Sequence, residues 1–455
     1  MQSRIVILAN RLPVRRGDDG LSWERSPGGL VSALEPILRS RVGLWIGWKG
    51  EPGRGSRSFE VDNITVRPVT LTKQQVEDFY HGFSNRTLWP LYHNGIRPPQ
   101  IHRHWWQTFV RVNEHFAKTA ARLVRKGDIV WIHDYHLHLV PTMLRELRRD
   151  ITIGFFLHIP FPPEELFAQL PWRKQLCEGL LGANLLGFQT QASAQNFSRA
   201  AREFCDVEGT DSELRVGHRK VRIRAHPISI DVEEMERLAS DPAVQARAKV
   251  IRQNIGHKRS ILLAIDRLDY TKGIVPRLQA VNELFRSGEL NVDRAVLVQV
   301  AVPSREVVRE YVETREQVDQ MVGRMNGEHS QPGRVAVHYF RRNLNRAELV
   351  AYYLAADVLL VTPLCDGMNL VAKEFVASRI DGGGMLVLSE FAGAARELRR
   401  ALIVNPYDVD GQGQVILDAL RMPKKDSRMR MAILRTQVRR HDIHDWSRQF
   451  LEAVA

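Results

Sequence analysis

The sequence has few cysteines and no long hydrophobic run. Its three cysteines, Cys177, Cys205 and Cys365, cannot all pair with one another, and none lies in a CxxC motif or in a Cys/His spacing typical of a zinc site. These features indicate a reducing compartment, and we expect the cytoplasm. No stretch approaches the roughly 18 apolar residues that a membrane-spanning helix needs, and the apolar run at the N-terminus is too short for a signal peptide. The sequence therefore predicts no membrane partner.

Negative charge is also in short supply, because 52 acidic residues stand against 65 lysines and arginines, which leaves a formal net charge of +13. Such an excess suits nucleic acid, an anionic surface or phosphorylated small molecules. The basic residues are scattered over predicted helices, for example at residues 145–149, 396–400 and 424–430, without interleaved aromatic residues. This pattern is typical of a solvated helix face. We therefore expect no nucleic-acid partner and favour small phosphorylated ligands.

Short apolar runs alternate with amphipathic stretches of helical length along the chain. The runs lie at residues 4–9, 128–133, 152–158, 260–265, 295–300, 358–362 and 385–388. Continuous Val/Ile/Leu runs predict strands covered on both faces, and their alternation with helices predicts an α/β fold with parallel, doubly wound sheets. A chain of 455 residues is too long for one core.

The alternation loosens between residues 206 and 258, and we place a domain boundary near Asp231. The prediction is a first domain at residues 1–231, a second at 232–441, and a last helix at 442–455 that packs back on the first domain. Ligands of such sheets bind at the carboxyl ends of the strands. The expected site is a cleft between the two domains.

Three residues of the first half are candidates to contact an anionic or hydroxylated ligand. Gly29 is the second glycine of a pair that opens a predicted helix at residues 30–38, where backbone N–H groups approach a ligand closely. Asp134 and His158 each follow an apolar run, so both would point into the site and hydrogen-bond to sugar hydroxyls. The structural alternatives are a loop glycine pair, a helix cap and a satisfied histidine.

Aromatic residues form a second candidate group in the first half. Tyr80 and Trp89 lie in a stretch with no clear period of 2 or 3.6, and Trp48 precedes them. Aromatic faces stack on sugar rings, so these residues would form a platform for a hexose. They would equally fill the core beneath a long loop.

The second half carries cations where a diphosphate would bind. Arg267 and Lys272 lie on a predicted strand-to-helix turn after the run at residues 260–265. A guanidinium fork and an ammonium group at this position would clamp a diphosphate. The alternative is a pair of surface cations neutralised by Asp266 and Asp269.

A strand end that continues as a helix offers the remaining groups for a nucleotide sugar. Asp366 would accept hydrogen bonds from sugar hydroxyls, and the backbone N–H groups of residues 368–370 would face phosphate. Glu374, one to two turns along the helix, would bind both ribose hydroxyls. An aspartate that merely caps a helix explains Asp366 but not Glu374.

Seven segments with these residues occur in one order along the chain. They are NR at 10–11, GGL at 28–30, GFSNRTLWP at 82–90, HDYHL at 133–137, GFFLHIPFP at 154–162, RLDYTKG at 267–273 and DGMNLVAKEFVA at 366–377. Together they resemble the trehalose-6-phosphate synthase family of retaining glycosyltransferases over nearly the whole chain. The resemblance implies a GT-B fold, with two Rossmann-like domains and the site in the cleft.

The resemblance also implies a role for each site residue. The implied acceptor-binding residues are Arg11, Trp48, Tyr80, Trp89, Asp134 and Arg305. The implied donor-binding residues are Gly29, Arg267, Lys272, Asp366, Met368, Asn369, Leu370 and Glu374. The implied catalytic residues are Arg267, Lys272, Asp134 and His158.

The implied reaction moves glucose from a nucleotide sugar, with UDP-glucose expected, to glucose 6-phosphate, and it retains the anomeric configuration. No cofactor and no metal are expected, and we interpret the DxD-like pair Asp408 and Asp410 as part of a loop. Two alternatives stay open, a glucosylglycerol-phosphate synthase and a non-catalytic sugar-phosphate sensor. Cys365 stands where the family commonly carries Arg, which leaves the donor base open between UDP, GDP and ADP. A homo-oligomer, dimer or tetramer, also stays open.

Overall fold

Two β-sheets organise the protein, and each belongs to its own unit. The computed structural model describes residues 4–16, 23–25, 34, 43–53, 57–61, 64–256 and 258–455. Unit 1 comprises Met1–Ile228 with Ile443–Ala455, and unit 2 comprises Ser229–Asp442. The expected helix at residues 30–38 and the glycine pair before it lie outside the described residues, apart from Leu34.

The sheet of unit 1 is parallel in its middle and antiparallel at its edges. Its strands are β1 Ile5–Arg11, β4 Leu44–Trp48, β5 Phe59–Val61, β6 Ile64–Val69, β7 Ile129–His133, β8 Thr152–Leu157, β9 Leu185–Phe188, β10 Glu208–Gly209, β11 Glu213–Val216 and β12 Arg219–Ala225. They lie in the order β10-β11-β12-β9-β8-β7-β1-β4-β6-β5, with β10, β11 and β5 antiparallel to their neighbours. A separate hairpin pairs β2 Val14–Arg16 with β3 Trp23–Arg25.

The helices of unit 1 cover both faces of this sheet, as parallel strands require. They are α1 Lys73–Gln75, α2 Trp89–Tyr92, α3 Arg103–Ala121, α4 Val140–Leu147, α5 Glu164–Phe167, α6 Arg173–Leu180, α7 Gln191–Phe204 and the last helix of the chain, Ile443–Val454. A π-helical segment, Val76–Leu88, joins α1 to α2, and a 3-10 turn, Tyr135–Leu137, follows β7.

The π-helical segment explains why the sequence around Tyr80 shows neither period. Its backbone hydrogen bonds run from residue i to i+5, so side chains repeat more slowly than every 3.6 residues. The segment buries Phe79, Phe83 and Leu88. The stretch is therefore helical rather than a loop.

The last helix packs on the sheet of unit 1 through aromatic residues. Phe450 stacks on Trp131 of β7 with ring centroids 4.4 Å apart. Two strand glycines make room for this ring, since a Cβ on Gly154 or Gly187 would lie 2.8 or 2.7 Å from Phe450. Trp446 on the same helix donates from Nε1 to the carbonyl of His226 at 3.0 Å.

Unit 2 is a wholly parallel sheet between helices. Its strands are β13 Ser260–Arg267, β14 Ala295–Val302, β15 Val337–Phe340, β16 Val358–Val361, β17 Met385–Ser389 and β18 Leu402–Val404. Its helices are α8 Val232–Ser240, α9 Pro242–Gly256, α10 Ile274–Arg286, α11 Arg309–His329, α12 Arg346–Ala355, α13 Leu370–Ser378, α14 Val409–Arg421 and α15 Lys424–Arg440, so the last helix of the chain is α16. Short 3-10 turns lie at Tyr270–Lys272 and Gly393–Arg396. No helix in the described ranges is both long and apolar enough to span a bilayer.

The strand order of unit 2 fixes where a ligand would bind. The order is β15-β14-β13-β16-β17-β18, which reads 3-2-1-4-5-6 when the strands are numbered along unit 2. This is the strand order of nucleotide-binding Rossmann sheets. Successive strands are added on one side of β13 up to β15 and then on its other side from β16, so the order switches between β13 and β16. The seven apolar runs all form strands, so the α/β class with parallel sheets is confirmed.

Candidate functional site

The loops after β13 and β16 meet at the reversal of strand order in unit 2. Leu364 N donates to the carbonyl of Thr271 at 2.8 Å. Gly273 has φ +64°, and a Cβ there would lie 2.0 Å from the carbonyl oxygen of Thr362. Only glycine combines this backbone angle with this approach. The two loops are therefore held in one fixed relation at the crevice where Rossmann sheets bind ligands.

Lys272 and Asp366 connect these loops by an ion pair. Lys272 Nζ donates to Asp366 Oδ2 at 2.6 Å, and the two side chains are only 9% and 15% exposed. Asn369 Nδ2 donates to the same carboxylate oxygen at 3.1 Å. Lys272 is thus a buried cation at the crevice rather than a solvated surface lysine. Arg267, the last residue of β13, is exposed at the same strand end.

Asp269, which the sequence analysis considered only as a partner of the surface cations, lies at the centre of the charged groups around the crevice. Its Oδ1 accepts from the backbone N and the hydroxyl of Thr271 at 3.0 and 2.9 Å. Its Oδ2 lies 3.6 Å from Arg305 Nη1 and accepts from the Tyr311 hydroxyl at 3.3 Å. Burial alone would raise the pKa of Asp269, but nearby cations, Arg305 foremost, hold that pKa below its ordinary value. Arg305 is thus oriented by an ionised carboxylate.

Helix α13 presents its N-terminus to the same crevice. Asn369 caps it, with Oδ1 accepting from Ala372 N at 3.3 Å. A helix N-terminus also carries N–H groups without intrahelical acceptors, and these suit an anion. Glu374 lies on this helix and accepts from the Tyr353 hydroxyl at 3.1 Å. Burial raises the pKa of Glu374 above its ordinary value. A partly buried carboxylate of this kind fits the two hydroxyls of a ribose.

A buried ion pair supports both loops from below. The guanidinium of Arg277 contacts Asp266 Oδ2 and donates to the carbonyl of Leu360 at 3.1 Å, and its side chain is 0% exposed. Burial raises the pKa of Asp266 despite this partner. The pair joins β13, β16 and α10, and the direct ion-pair partner of Asp266 is thus Arg277, a residue of the helix that follows the crevice. No sequence pattern had indicated Arg277.

Arg11 of unit 1 is held by aromatic rings. Its guanidinium carbon lies 4.1 Å from the ring centroid of Trp48 and 5.1 Å from that of Tyr80. Gly50 has φ +102°, and a Cβ there would lie 1.9 Å from Arg11 Nη1. Arg11 forms no ion pair with any residue that the structure describes. A guanidinium held by cation–π contacts and without an ion pair among the described residues is suited to a phosphate.

The other aromatic candidates belong to a continuous row of rings. Tyr80 stacks on His136 at 5.8 Å, His136 contacts Tyr135 at 3.9 Å, and Tyr135 contacts Trp89 at 5.7 Å between centroids. Trp48 is 1% exposed and Trp89 is 3% exposed, whereas Tyr80 is half-buried. The expected open platform of three rings is thus reduced in this state to Tyr80, with the tryptophans packed beside it.

Asp134 and His158 follow the neighbouring strands β7 and β8 and contact each other. Asp134 Oδ1 accepts from His158 N at 3.2 Å, and Asp134 N donates to the carbonyl of Phe156 at 2.8 Å. His158 Nε2 lies 3.1 Å from Nδ1 of His133, the last residue of β7. Burial lowers the pKa of His158 to about 3, so its imidazole is neutral at neutral pH.

Backbone strain coincides with the candidate residues. In the described part of the chain the non-glycine residues with positive φ are Asn94, Asp134, Arg305 and Asn369. Asp134, at φ 74° and ψ 167°, lies in a region that is essentially reserved for glycine. Such strain costs about 1–3 kcal/mol and clusters at functional sites. Asp134 and Asn369 lie in the sequence motifs and Arg305 is implied by the family resemblance, so the backbone angles of all three are an independent indication of function.

Several expectations fall elsewhere. Gly29 lies outside the described residues. Asp410 is not a loop residue, since it lies in the first turn of α14, and Asp408, directly before the helix, caps it by accepting from Gly411 N at 2.9 Å. Among the residues that the structure describes, no group of three or more His, Cys, Asp or Glu side chains is placed to hold a metal ion.

A cavity of about 290 Å³ lies at the opposite edge of the unit 2 sheet. Ser260, Val358 and Met385, the first residues of three strands, contribute to its lining, together with Lys424 and Arg428. Ligands of open parallel sheets bind at the carboxyl ends of the strands. We therefore assign the candidate site to the loops after β13 and β16 and not to this cavity.

Cys365 lies directly beside the crevice, but its thiol is unreactive. Its side chain is buried, and burial raises the pKa of the thiol to about 12, with the Asp366 carboxylate adding to the effect. It is therefore a neutral thiol at neutral pH. A thiol supplies no positive charge to a donor phosphate, in contrast to the arginine common in the family.

Known proteins match the chain over its whole length. A trehalose-6-phosphate synthase of Mycobacterium sp. (strain KMS) is 51% identical over 465 residues, covering 100% of this chain and 95% of the relative. An α,α-trehalose-phosphate synthase (UDP-forming) from Burkholderia xenovorans, solved in complex with glucose-6-phosphate, has a TM-score of 0.92 at 32% identity and covers 99% of this chain and 100% of its own. A protein from E. coli bound with UDP-2-fluoro glucose has a TM-score of 0.90 at 34% identity, with 99% of both chains covered.

These likenesses confirm the resemblance drawn from the seven sequence segments, and they confirm the GT-B class of the fold. The family model "Glycosyltransferase family 20" matches residues 3–455. With this match and half of its residues identical to those of a full-length relative, the chain belongs to glycosyltransferase family 20.

Proposed function

We propose that the protein transfers glucose from UDP-glucose to glucose 6-phosphate with retention of configuration and so makes trehalose 6-phosphate. The full-length relatives carry the name of this activity, and solved family members hold glucose-6-phosphate or a UDP-2-fluoro glucose. The observation that carries the proposal is the crevice of unit 2. There Lys272, Arg267 and the N-terminus of α13 converge at the reversal of strand order, where Rossmann sheets bind nucleotides.

Unit 2 is proposed to bind the nucleotide sugar. Arg267 and Lys272 clamp the diphosphate, the N–H groups of residues 368–370 contact phosphate, and Glu374 binds the ribose hydroxyls. The charge of Lys272 is matched by Asp366 before the donor binds. Charge that develops on the leaving diphosphate then meets a cation that is already positioned, which lowers the barrier without reorganisation.

Unit 1 is proposed to bind the acceptor and to contact the transferred glucose. Arg11 holds the acceptor phosphate, Tyr80 faces the hexose, and Asp134 and His158 bind sugar hydroxyls. Arg305 of unit 2 is a further cation for the acceptor phosphate. In this scheme a diphosphate oxygen takes the proton of the attacking hydroxyl, so the side chains supply positioning and electrostatics.

We also propose that the reaction needs no metal and takes place in the cytoplasm. The cations of the crevice are side chains, and they stabilise the negative charge of the diphosphate, as a divalent ion does in many other transferases. All three cysteines are free and buried, which fits a reducing compartment.

The test is a product analysis of the purified protein. UDP-, GDP- and ADP-glucose are each incubated with glucose 6-phosphate or with glycerol 3-phosphate, with and without EDTA, and products are identified by mass. We expect trehalose 6-phosphate from UDP-glucose, undiminished by EDTA. A higher kcat/KM for glycerol 3-phosphate would replace the assignment by glucosylglycerol-phosphate synthesis, and binding without turnover would indicate a sensor. Loss of activity in EDTA that magnesium restores would refute metal independence.

A further inference from the structure

Two histidine rings contact each other at the strand ends of unit 1. His133 ends β7 and is 0% exposed, and its Nδ1 lies 3.1 Å from Nε2 of His158, which follows β8. This is a hydrogen-bond distance, so one of the two nitrogens carries the proton and the other accepts it. Which ring donates decides what His158 offers to a ligand.

Both rings are neutral. Burial lowers the pKa of His133 well below its ordinary value, with His158 adding to the effect, and burial lowers the pKa of His158 to about 3. A neutral imidazole has one N–H donor and one acceptor nitrogen. The proton on each ring is therefore on Nδ1 or on Nε2, and the two choices are coupled through the shared hydrogen bond.

The surroundings of His133 decide between the two arrangements. Its Nε2 is buried and has no hydrogen-bond partner among the residues that the structure describes. A proton on Nε2 would be a buried N–H donor without an acceptor, and such orphaned donors are rarer in folded proteins than buried acceptors without a donor. The proton of His133 therefore belongs on Nδ1, where it is donated to His158. His158 Nε2 must then be the acceptor, and its own proton is on Nδ1.

We propose that His133 is a positioning residue that fixes His158 in the Nδ1–H tautomer, so that His158 presents an N–H donor to a hydroxyl oxygen of the transferred sugar. The identity of that ligand rests on the proposed function, but the tautomer does not. Asp134 directly follows His133 in the chain, and its carboxylate Oδ1 accepts from His158 N. A sugar hydroxyl both donates and accepts hydrogen bonds. The Asp134 carboxylate would accept from such hydroxyls, and the His158 N–H would donate to them.

The direct test is nitrogen NMR of ¹⁵N-histidine-labelled protein at neutral pH, since the protonated and unprotonated ring nitrogens have well-separated shifts. The His158 signals are identified by their loss in His158→Gln. We expect His158 to carry its proton on Nδ1 and His133 likewise. A proton on His158 Nε2, or an imidazolium on either ring, would overturn the proposal.

Variants of His133 test the consequence. His133→Asn keeps an N–H donor near the position of Nδ1, and His133→Leu removes it. We expect His133→Asn to preserve the tautomer of His158 and His133→Leu to give a mixture. The kcat/KM for the donor should fall about tenfold in His133→Leu, as the loss of one oriented hydrogen bond implies, while KM for glucose 6-phosphate stays unchanged.

The outcomes separate this inference from the proposed function. A pure Nδ1–H tautomer in a folded His133→Leu would show that His133 does not set it and would refute the positioning role. If His133→Leu does not fold, the spectrum of the unaltered protein still decides the tautomer. Absence of trehalose 6-phosphate synthesis in the unaltered protein would remove the proposed function and leave the tautomer result intact.

Discussion

Replacement of Lys272 by alanine tests the diphosphate clamp most directly. Lys272 Nζ lies 2.6 Å from Asp366 Oδ2 in a setting where the two side chains are 9% and 15% exposed. A unit charge at about 4 Å from a phosphate oxygen contributes roughly 4 kcal/mol at an effective dielectric constant of about 20. Only the part that grows as charge develops affects turnover, and removal of one such group typically lowers kcat about 100-fold or more. We expect at least that loss in Lys272→Ala.

The loss has a second source in the structure. Without Lys272, Asp366 loses its buried ion pair, while Asn369 Nδ2 still donates to Oδ2 at 3.1 Å. The Asp366 carboxylate, no longer balanced by the Lys272 ammonium, would then repel the diphosphate. Asp366→Asn in the Lys272→Ala background should therefore recover part of the lost turnover, although Asp366→Asn alone lowers the activity.

The assay is steady-state release of UDP at varied UDP-glucose, which separates kcat from KM. Lys424→Ala serves as the matched control, because it removes the same charge from an exposed position at the opposite edge of the unit 2 sheet. Its kinetics should be unchanged. A Lys272→Ala protein that remains folded by thermal denaturation and turns over nearly as fast as its parent would refute the clamp.

Three further predictions concern stability. Arg277→Ala should lower the free energy of unfolding by about 3–5 kcal/mol, because it leaves the buried carboxylate of Asp266 without its partner, and the double variant Arg277→Met/Asp266→Leu should recover most of this in urea unfolding; a loss below about 1 kcal/mol would contradict the pair's role. Asp134→Gly relieves about 1–3 kcal/mol of strain, which offsets the lost hydrogen bond to His158 N and the greater freedom of glycine in the unfolded chain, so its stability should lie within about 1 kcal/mol of its parent's while its activity falls sharply; a loss above about 3 kcal/mol in urea unfolding would argue against strain. His138 and His158 each have a folded pKa of about 3 against an ordinary 6.5, so the native state binds fewer protons than the unfolded chain between these values. Stability is therefore fully present above about pH 6.5 and falls on acidification by up to about 1.4 kcal/mol per pH unit for each histidine; a His138→Phe variant with an equally steep fall in urea unfolding would disprove this assignment.

The strands that the sequence predicted and those it missed differ in burial. The runs behind β1, β13 and β14 are buried on both faces, so their composition alone reveals them. Strands β11 and β12 are charged and partly exposed at the antiparallel edge, and no apolar run marks them. Their pairing depends on the neighbouring strand rather than on their own residues.

The site residues divide in the same way. Lys272 and Asp366 were found because each follows a strand within a recognisable motif, although their contact spans 94 residues of chain and no local pattern encodes it. Arg277 was missed because it lies inside a helix, where an arginine usually faces solvent. His133 was noted only as part of a motif. Whether its Nε2 has a hydrogen-bond partner depends on the packing of neighbouring elements, which the local sequence does not show.

The approach of Gly273 to the carbonyl of Thr362 has a consequence for redesign. Because the backbones of the two loops are in close contact at Gly273 and Thr362, neither loop can be replaced alone without displacing the other. Transplanting donor preference from another transferase would therefore require residues 267–273 and 362–369 to move together as one cassette. Cys365 lies within the second of these segments. A substitution there changes only a side chain and preserves the backbone contact, so it is the simpler way to alter nucleotide preference.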